Sequence, residues 1–309
     1  MIPSDQKQLI GFNSLFSNIA INFNKNNLPN KILLSGKEGI GKSTFAYHLT
    51  NYILSKNEDF TYELSTNEIN ENNNSYKLIR QNTHPNFFKI SLSPDKKNIE
   101  IQQIKDMINF SNKSSFYNKS KIVIIDNVES LNPSSSNALL KTLEEPNNNI
   151  LFLLIYNNHF SLPETIKSRC IEFKLNLQKK ETSIIVNKIL GENIYDNFSE
   201  DFLNLNLSPS FYLNFYGFCN QNEIDYSNII IEDLLKLVLI KKMYNKDVYI
   251  KKNIKLFIEI LFKKKYLLTK SKLIFDKFSY FNLKYNDVKN FNLDFETFML
   301  EFNSMILNE

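Results

Sequence analysis

The chain has 309 residues, 42% hydrophobic and 23% charged, with a net charge of +4. That length exceeds one ordinary domain, and the mild basicity falls short of the dense stripe of a dedicated nucleic-acid binder. No apolar run approaches the roughly 18 residues that span a bilayer, no basic-then-apolar leader opens the chain, and its two cysteines, Cys170 and Cys219, make neither a disulfide framework nor a four-sulfur zinc site, so a cytoplasmic protein is expected.

Residues 32–34 form a short apolar run leading through Ser35 to Gly36. Lys42–Leu54 follows, with Phe45, Ala46, Leu49, Tyr52 and Ile53 on one helical face. Residues 55–74 are polar and read as a loop or insertion; their asparagines reflect a composition bias that runs through the whole chain. A strand is predicted over 87–92, and Ile101, Ile104 and Ile108 mark a helix.

Residues 122–125 are continuously apolar, the pattern of a parallel strand covered on both faces. Asn132 and Pro133 open the next helix as cap and first residue; Leu139, Leu140 and Leu143 give it a stripe, and Pro146 stops it. Another buried strand is predicted over 151–156, so alternating strands and helices imply an α/β domain with a parallel sheet. Beyond Leu177 the strand signals fade. Short helices are predicted over 180–190, 200–205 and 211–218, and longer ones over 233–243, 254–262, 270–281 and 295–306.

Gly36-Lys37-Glu38-Gly39-Ile40-Gly41-Lys42-Ser43 fits the phosphate-loop pattern in full, between an apolar strand and an amphipathic helix. Glycines let backbone N–H groups turn inward, and the helix N-terminus that follows favours anions. The nucleotide-binding set is therefore Gly36, Gly39, Gly41, Lys42, Ser43 and Thr44. Lys42 is assigned to the β- and γ-phosphates and Ser43 to magnesium. Asp126, directly after the 122–125 strand, is the second magnesium group. The bland alternatives are a glycine turn before a helix and a turn-initiating Asp.

Two further segments, Asn137-Ala138-Leu139-Leu140-Lys141-Thr142-Leu143-Glu144-Glu145-Pro146 and Ser168-Arg169-Cys170 after Leu162-Pro163-Glu164, resemble the AAA+ clamp loaders of DNA replication. The resemblance covers roughly residues 5–175 well and the remainder in outline. It implies an AAA+ nucleotide-binding domain over 1–176, a small helical lid over 177–225 and a C-terminal helical collar over 226–309. ATP or ADP with magnesium would be the ligand.

Within that family Arg169 resembles the finger that completes a neighbour's nucleotide site, and Asn157 the first sensor of the γ-phosphate. The bland reading of each is an exposed loop residue. Where an ATPase of this class has a Glu after the strand-end Asp, this chain has Asn127. Glu129, on the same side of an extended segment, is the alternative. The lid segment 207–211, Leu-Ser-Pro-Ser-Phe, lacks the second-sensor arginine.

These departures resemble the delta prime branch, a stator, more than the hydrolysing gamma/tau motor, which is the alternative, along with an unrelated nucleotide kinase. The implied partners are delta and gamma/tau subunits in a five-membered ring, with the sliding clamp and primed DNA reached through the complex and no membrane. Many members carry a four-Cys zinc module between the loop and the acidic strand; residues 55–84 here have no Cys, so zinc is not expected. The lysines 263–265, with Lys251 and Lys252, read as a solvated helix face before a DNA patch.

Overall fold

The computed structural model describes residues 2–93, 96–116, 120–145, 149–158 and 160–307. Pro146, expected to end a helix, and His159, read as loop, lie outside the described residues. The chain divides into two compact units, residues 1–185 with 208–210, and residues 186–207 with 211–309.

The first unit is built in the order α1 (Asn13–Asn24), β1 (Lys31–Ser35), α2 (Lys42–Leu54), α3 (Asn74–Arg80), β2 (Phe87–Ile90), α4 (Ile101–Asn112), β3 (Lys121–Ile125), α5 (Pro133–Glu144), β4 (Ile150–Tyr156), α6 (Glu164–Lys167), β5 (Ile171–Lys174) and the start of α7 (Lys179–Leu190). The strands form one parallel sheet in the order β2-β3-β4-β1-β5, the AAA+ P-loop arrangement that the motifs imply. Side chains of one parity, such as Ile32, Leu34, Ile122 and Leu153, pack with α1 and α2; those of the other, such as Leu33, Val123, Ile125 and Phe152, pack with α4 and α5. Both faces are therefore dry, which is why β3 and β4 read as unbroken apolar runs. Asn132 caps α5, its side chain accepting from the Ser135 N–H at 2.8 Å, with Pro133 at the first helical position as predicted.

Four elements of this unit escaped the sequence reading, the single-turn α6 among them. β5 is an edge strand paired with β1 alone and mostly exposed, so it carries no apolar signature. α1 is rich in asparagine, yet buries Phe16, Ile19 and Ala20. α3 begins at the end of the 55–74 stretch read as a loop or insertion, over residues for which no element was predicted; it is started by Asn73, whose side chain accepts from the Tyr76 N–H at 2.6 Å.

A polar network organises this insertion. Buried Asn73 also donates to Glu58 Oε2 at 2.8 Å and to the Phe60 carbonyl at 2.7 Å, while Asn51 of α2 donates to Asn73 Oδ1 at 3.0 Å. Ser75 donates to Glu58 Oε1 and lies 3.2 Å from His84 Nε2, whose other ring nitrogen accepts from the Asn86 N–H. Hydrogen bonds thus tie this segment to α2.

The second unit is helical: the rest of α7, α8 (Glu200–Leu203), α9 (Pro209–Gln221, from Phe211), α10 (Ile231–Ile240), α11 (Met243–Lys246), α12 (Val248–Thr269), α13 (Lys272–Asn290) and α14 (Phe295–Phe302), closed by a π-turn. α12 and α13 are much longer than the periodicity predicted, because lysine and tyrosine interrupt the apolar pattern without breaking the helix. Their core is aromatic. Phe202 sits fully buried among Phe211, Phe215 and Phe257, with ring centroids 6.0, 4.5 and 6.4 Å away.

The lysine run is not simply a solvated face. Lys264 bridges Asp201 and Glu232, both at 2.9 Å, and Lys265 donates to the Ile306 carbonyl at 2.6 Å. By contrast, Leu267, Leu268, Leu273, Phe275 and Leu283 of α12 and α13 are between 58% and 76% exposed. Among the described residues no helix is long and apolar enough to cross a membrane.

Candidate nucleotide site

Strand register assembles the site. β1 pairs with β4 so that Ser35 faces Tyr156; the next residues, Gly36 and Asn157, therefore leave the sheet side by side. β3 pairs with β4 with Ile125 opposite Leu154, so Asp126 leaves at the same C-terminal edge. In open parallel sheets ligands bind in the crevice beyond the carboxyl ends of the strands.

The loop backbone needs its glycines. Gly36 has φ +149°, and a Cβ there would stand 2.4 Å from the carbonyl oxygen of Leu175, whose N–H is tied to the Ser35 carbonyl at 2.8 Å. Gly39 has φ +77°, and a Cβ would meet Ser210 Cβ at 2.5 Å and Ser208 Oγ at 2.8 Å. Residues 208–210 group with this unit, and the Ser210 N–H donates to the Gly39 carbonyl at 3.3 Å. The segment expected to carry the second sensor does reach the phosphate loop, with serines and no arginine. Gly41 is the N-cap of α2, so the first free N–H groups of that helix face the loop.

Lys42 is buried, 3% exposed, and its ammonium donates to the loop carbonyls of Gly36 at 2.7 Å and Lys37 at 2.6 Å. Burial pushes its pKa down from 10.5 to about 8, against the opposing pull of Asp126, Glu129 and Glu38. Ser43 donates to Asp126 Oδ2 at 2.9 Å. A hydroxyl and a carboxylate in contact beside a cation-bearing glycine loop are the donor set for a magnesium–nucleotide group, and the residues fit that ligand. Thr44, half-buried in the first turn of α2, adds a backbone N–H at the same helix end.

The segment after Asp126 differs from the sequence reading. It is not extended: Asn127 adopts a left-handed conformation, φ 57° and ψ 51°, and Val128–Ser130 forms a 3₁₀ turn. An asparagine tolerates that conformation, and the turn folds Glu129 back towards the sheet edge rather than further along it. Glu129 Oε1 accepts from the Asn157 N–H at 3.1 Å, and the Asn157 side chain donates to Asn127 Oδ1. Asn127, Glu129 and Asn157 thus form one clasp across the ends of β3 and β4. Sequence alone left the place of Glu129 open, because its approach depends on a backbone reversal at an ordinary-looking residue.

Arg169 stands apart from this group. It follows α6, its Nη1 donating to the Thr165 carbonyl at 2.8 Å and its Nη2 pairing with Glu144 Oε1 at 2.5 Å; the side chain is 34% exposed. Glu144 is the last residue of α5, so the two sequence motifs that carried the resemblance meet through this ion pair. Burial pushes the Cys170 thiol up to about 11, which makes it a packing group rather than a nucleophile. Among the described residues no three His, Cys, Asp or Glu side chains cluster as a metal cage.

Comparison with known proteins agrees with this geometry. A DNA polymerase III subunit gamma of Buchnera aphidicola subsp. Schizaphis graminum is 30% identical over 203 residues, 66% of this chain and 53% of that protein. A DNA polymerase III subunit delta' of Pseudomonas aeruginosa is 31% identical over 140 residues, 45% of this chain and 41% of that protein. The chain spans about half the length of the curated relatives it matches. In fold it is similar to a DNA polymerase III gamma subunit-related protein of Thermotoga maritima, with TM-score 0.55 and 19% identity over 95% of this chain and 98% of that one. A family model described as DNA polymerase III, delta subunit, matches residues 12–179. That match covers more than half of the chain and runs from α1 to the start of α7, through the loop, the Asn clasp and Arg169, and so the chain belongs to the DNA polymerase III delta subunit family.

Proposed function

We propose that the chain is a delta prime, or stator, subunit of the DNA polymerase III clamp loader. It binds ATP or ADP with magnesium at the Gly36–Ser43 loop, hydrolyses it slowly or not at all, and lends Arg169 to the nucleotide site of a neighbouring subunit. The observation that carries this reading is the state of Asn127. The residue beside Asp126 is an amide, which is a poor general base, and its oxygen is already occupied by Asn157. The 208–210 segment at Gly39, Ser-Pro-Ser with no arginine, points the same way. Both favour the stator over the gamma/tau motor, although gamma relatives match at similar identity.

Arg169 suits a role in trans. It is one of only two arginines, partly exposed, and braced by a helix carbonyl and a carboxylate. We assign residues 1–176 to nucleotide binding, 177–225 to a lid and 226–309 to a collar. The exposed apolar side chains of α12 and α13 support the collar assignment, since patches of that kind mark protein interfaces. The partners are then delta and gamma/tau subunits in a five-membered ring that places the sliding clamp on primed DNA.

The test is Arg169→Ala in the reconstituted loader. Nucleotide affinity of this chain should stay within about twofold, because Arg169 makes no bond to the loop, while DNA-stimulated ATP hydrolysis by the assembly falls by about tenfold or more. An unchanged assembly rate refutes the role in trans.

A further inference from the structure

We infer that Glu129, through its carboxylate oxygen Oε2, makes nucleotide binding at this loop dependent on a divalent cation. The inference rests on the proposal that the loop binds nucleotide. It starts from an imbalance. Glu129 is 9% exposed; Oε1 has its donor in the Asn157 N–H, but Oε2 is buried with no hydrogen-bond partner. A buried anionic oxygen without a donor is costly, and such groups occur where a ligand or water completes them.

Position says which ligand. The 3₁₀ turn and the clasp to Asn157 hold the carboxylate at the C-terminal edge of β3 and β4, on the same edge as Gly36 and Asp126. Asp126, Glu129 and Glu38 are the acidic neighbours felt by the Lys42 ammonium. The phosphate site therefore has three carboxylates and one buried lysine around it. Phosphates entering without a metal meet repulsion from Asp126, Glu129 and Glu38. A hydrated cation would offset that charge, and its water ligands would supply the donors that Oε2 lacks. Asp126 already has the Ser43 hydroxyl; Glu129 is the acid left to respond.

Glu129→Gln separates this from a structural role, because glutamine keeps an oxygen for the Asn157 N–H and removes only the charge. The full-length protein would be titrated with ADP by calorimetry, once in EDTA and once in excess magnesium. In EDTA the variant should bind about tenfold tighter than wild type, while in magnesium it binds equally or more weakly, so the gain in affinity on adding metal shrinks. Equal shifts in both conditions, or none, overturn the inference and leave Glu129 as a brace for Asn157. If wild type binds no ADP in either condition, the nucleotide reading of the loop itself fails, a distinct result that removes the inference with it. Should Glu129→Gln not fold, Glu129→Asp keeps the charge and must keep the metal dependence; its loss overturns the inference equally.

Discussion

Lys42 offers a test of the phosphate loop that needs no partner subunit. With its pKa held at about 8, the ammonium is about half protonated at pH 8 and about one-tenth protonated at pH 9. Binding phosphates supplies the counter-charge that burial withheld, returning the pKa to 10.5 or above, so the bound lysine is fully charged at either pH. Nucleotide binding must therefore take up about 0.5 proton at pH 8, about 0.9 at pH 9, and almost none at pH 6.5. Calorimetry of ADP–magnesium in buffers of different ionisation enthalpy reads this number directly, as the slope of observed heat against buffer heat. Affinity should fall about tenfold between pH 7 and pH 9, as the competent protonated fraction falls. A slope near zero at pH 9, or affinity constant across that range, would falsify the claim that the phosphates meet a desolvated Lys42.

His48 should make the protein acid-sensitive. Burial pushes its pKa from 6.5 down to about 4, while its ring nitrogens contact Tyr62 Oη and the Gln6 carbonyl. Between those values the unfolded chain binds a proton that the native state refuses. Stability is thus fully present above pH 6.5 and declines by about 3 kcal/mol as pH falls to 4. Urea unfolding across that range should show His48→Gln losing less stability with acid than wild type, and parallel curves would contradict the assignment. Asn73→Ala removes a helix cap and leaves Glu58 and the Phe60 carbonyl short of a donor. It should cost about 2–4 kcal/mol in the urea midpoint and loosen the 58–80 segment to proteolysis, and a change under 0.5 kcal/mol would show that the network is not what holds the segment.

Much of this protein was legible in one dimension because its signals are local. The glycine spacing of the loop, the unbroken apolar runs of β3 and β4, and the Asn132-Pro133 helix start each depend on a few adjacent residues whose backbone preferences leave little choice. The motif around Glu144 and Arg169 was equally readable as text, but that the two side chains form an ion pair was not.

What only the folded chain decided is set by long-range register and by single backbone reversals. β5 exists because β1 offers it an edge, not because its own residues are apolar. The insertion is ordered by side-chain hydrogen bonds between residues 51, 58, 73 and 75, which no periodicity records. Glu129 joins the phosphate edge because Asn127 turns left-handed and folds the next residues back on the sheet. Sequence fixes which chemical groups are present; the sheet register and that one turn determine which of them face the same ligand, since burial and charge act through space and not along the chain.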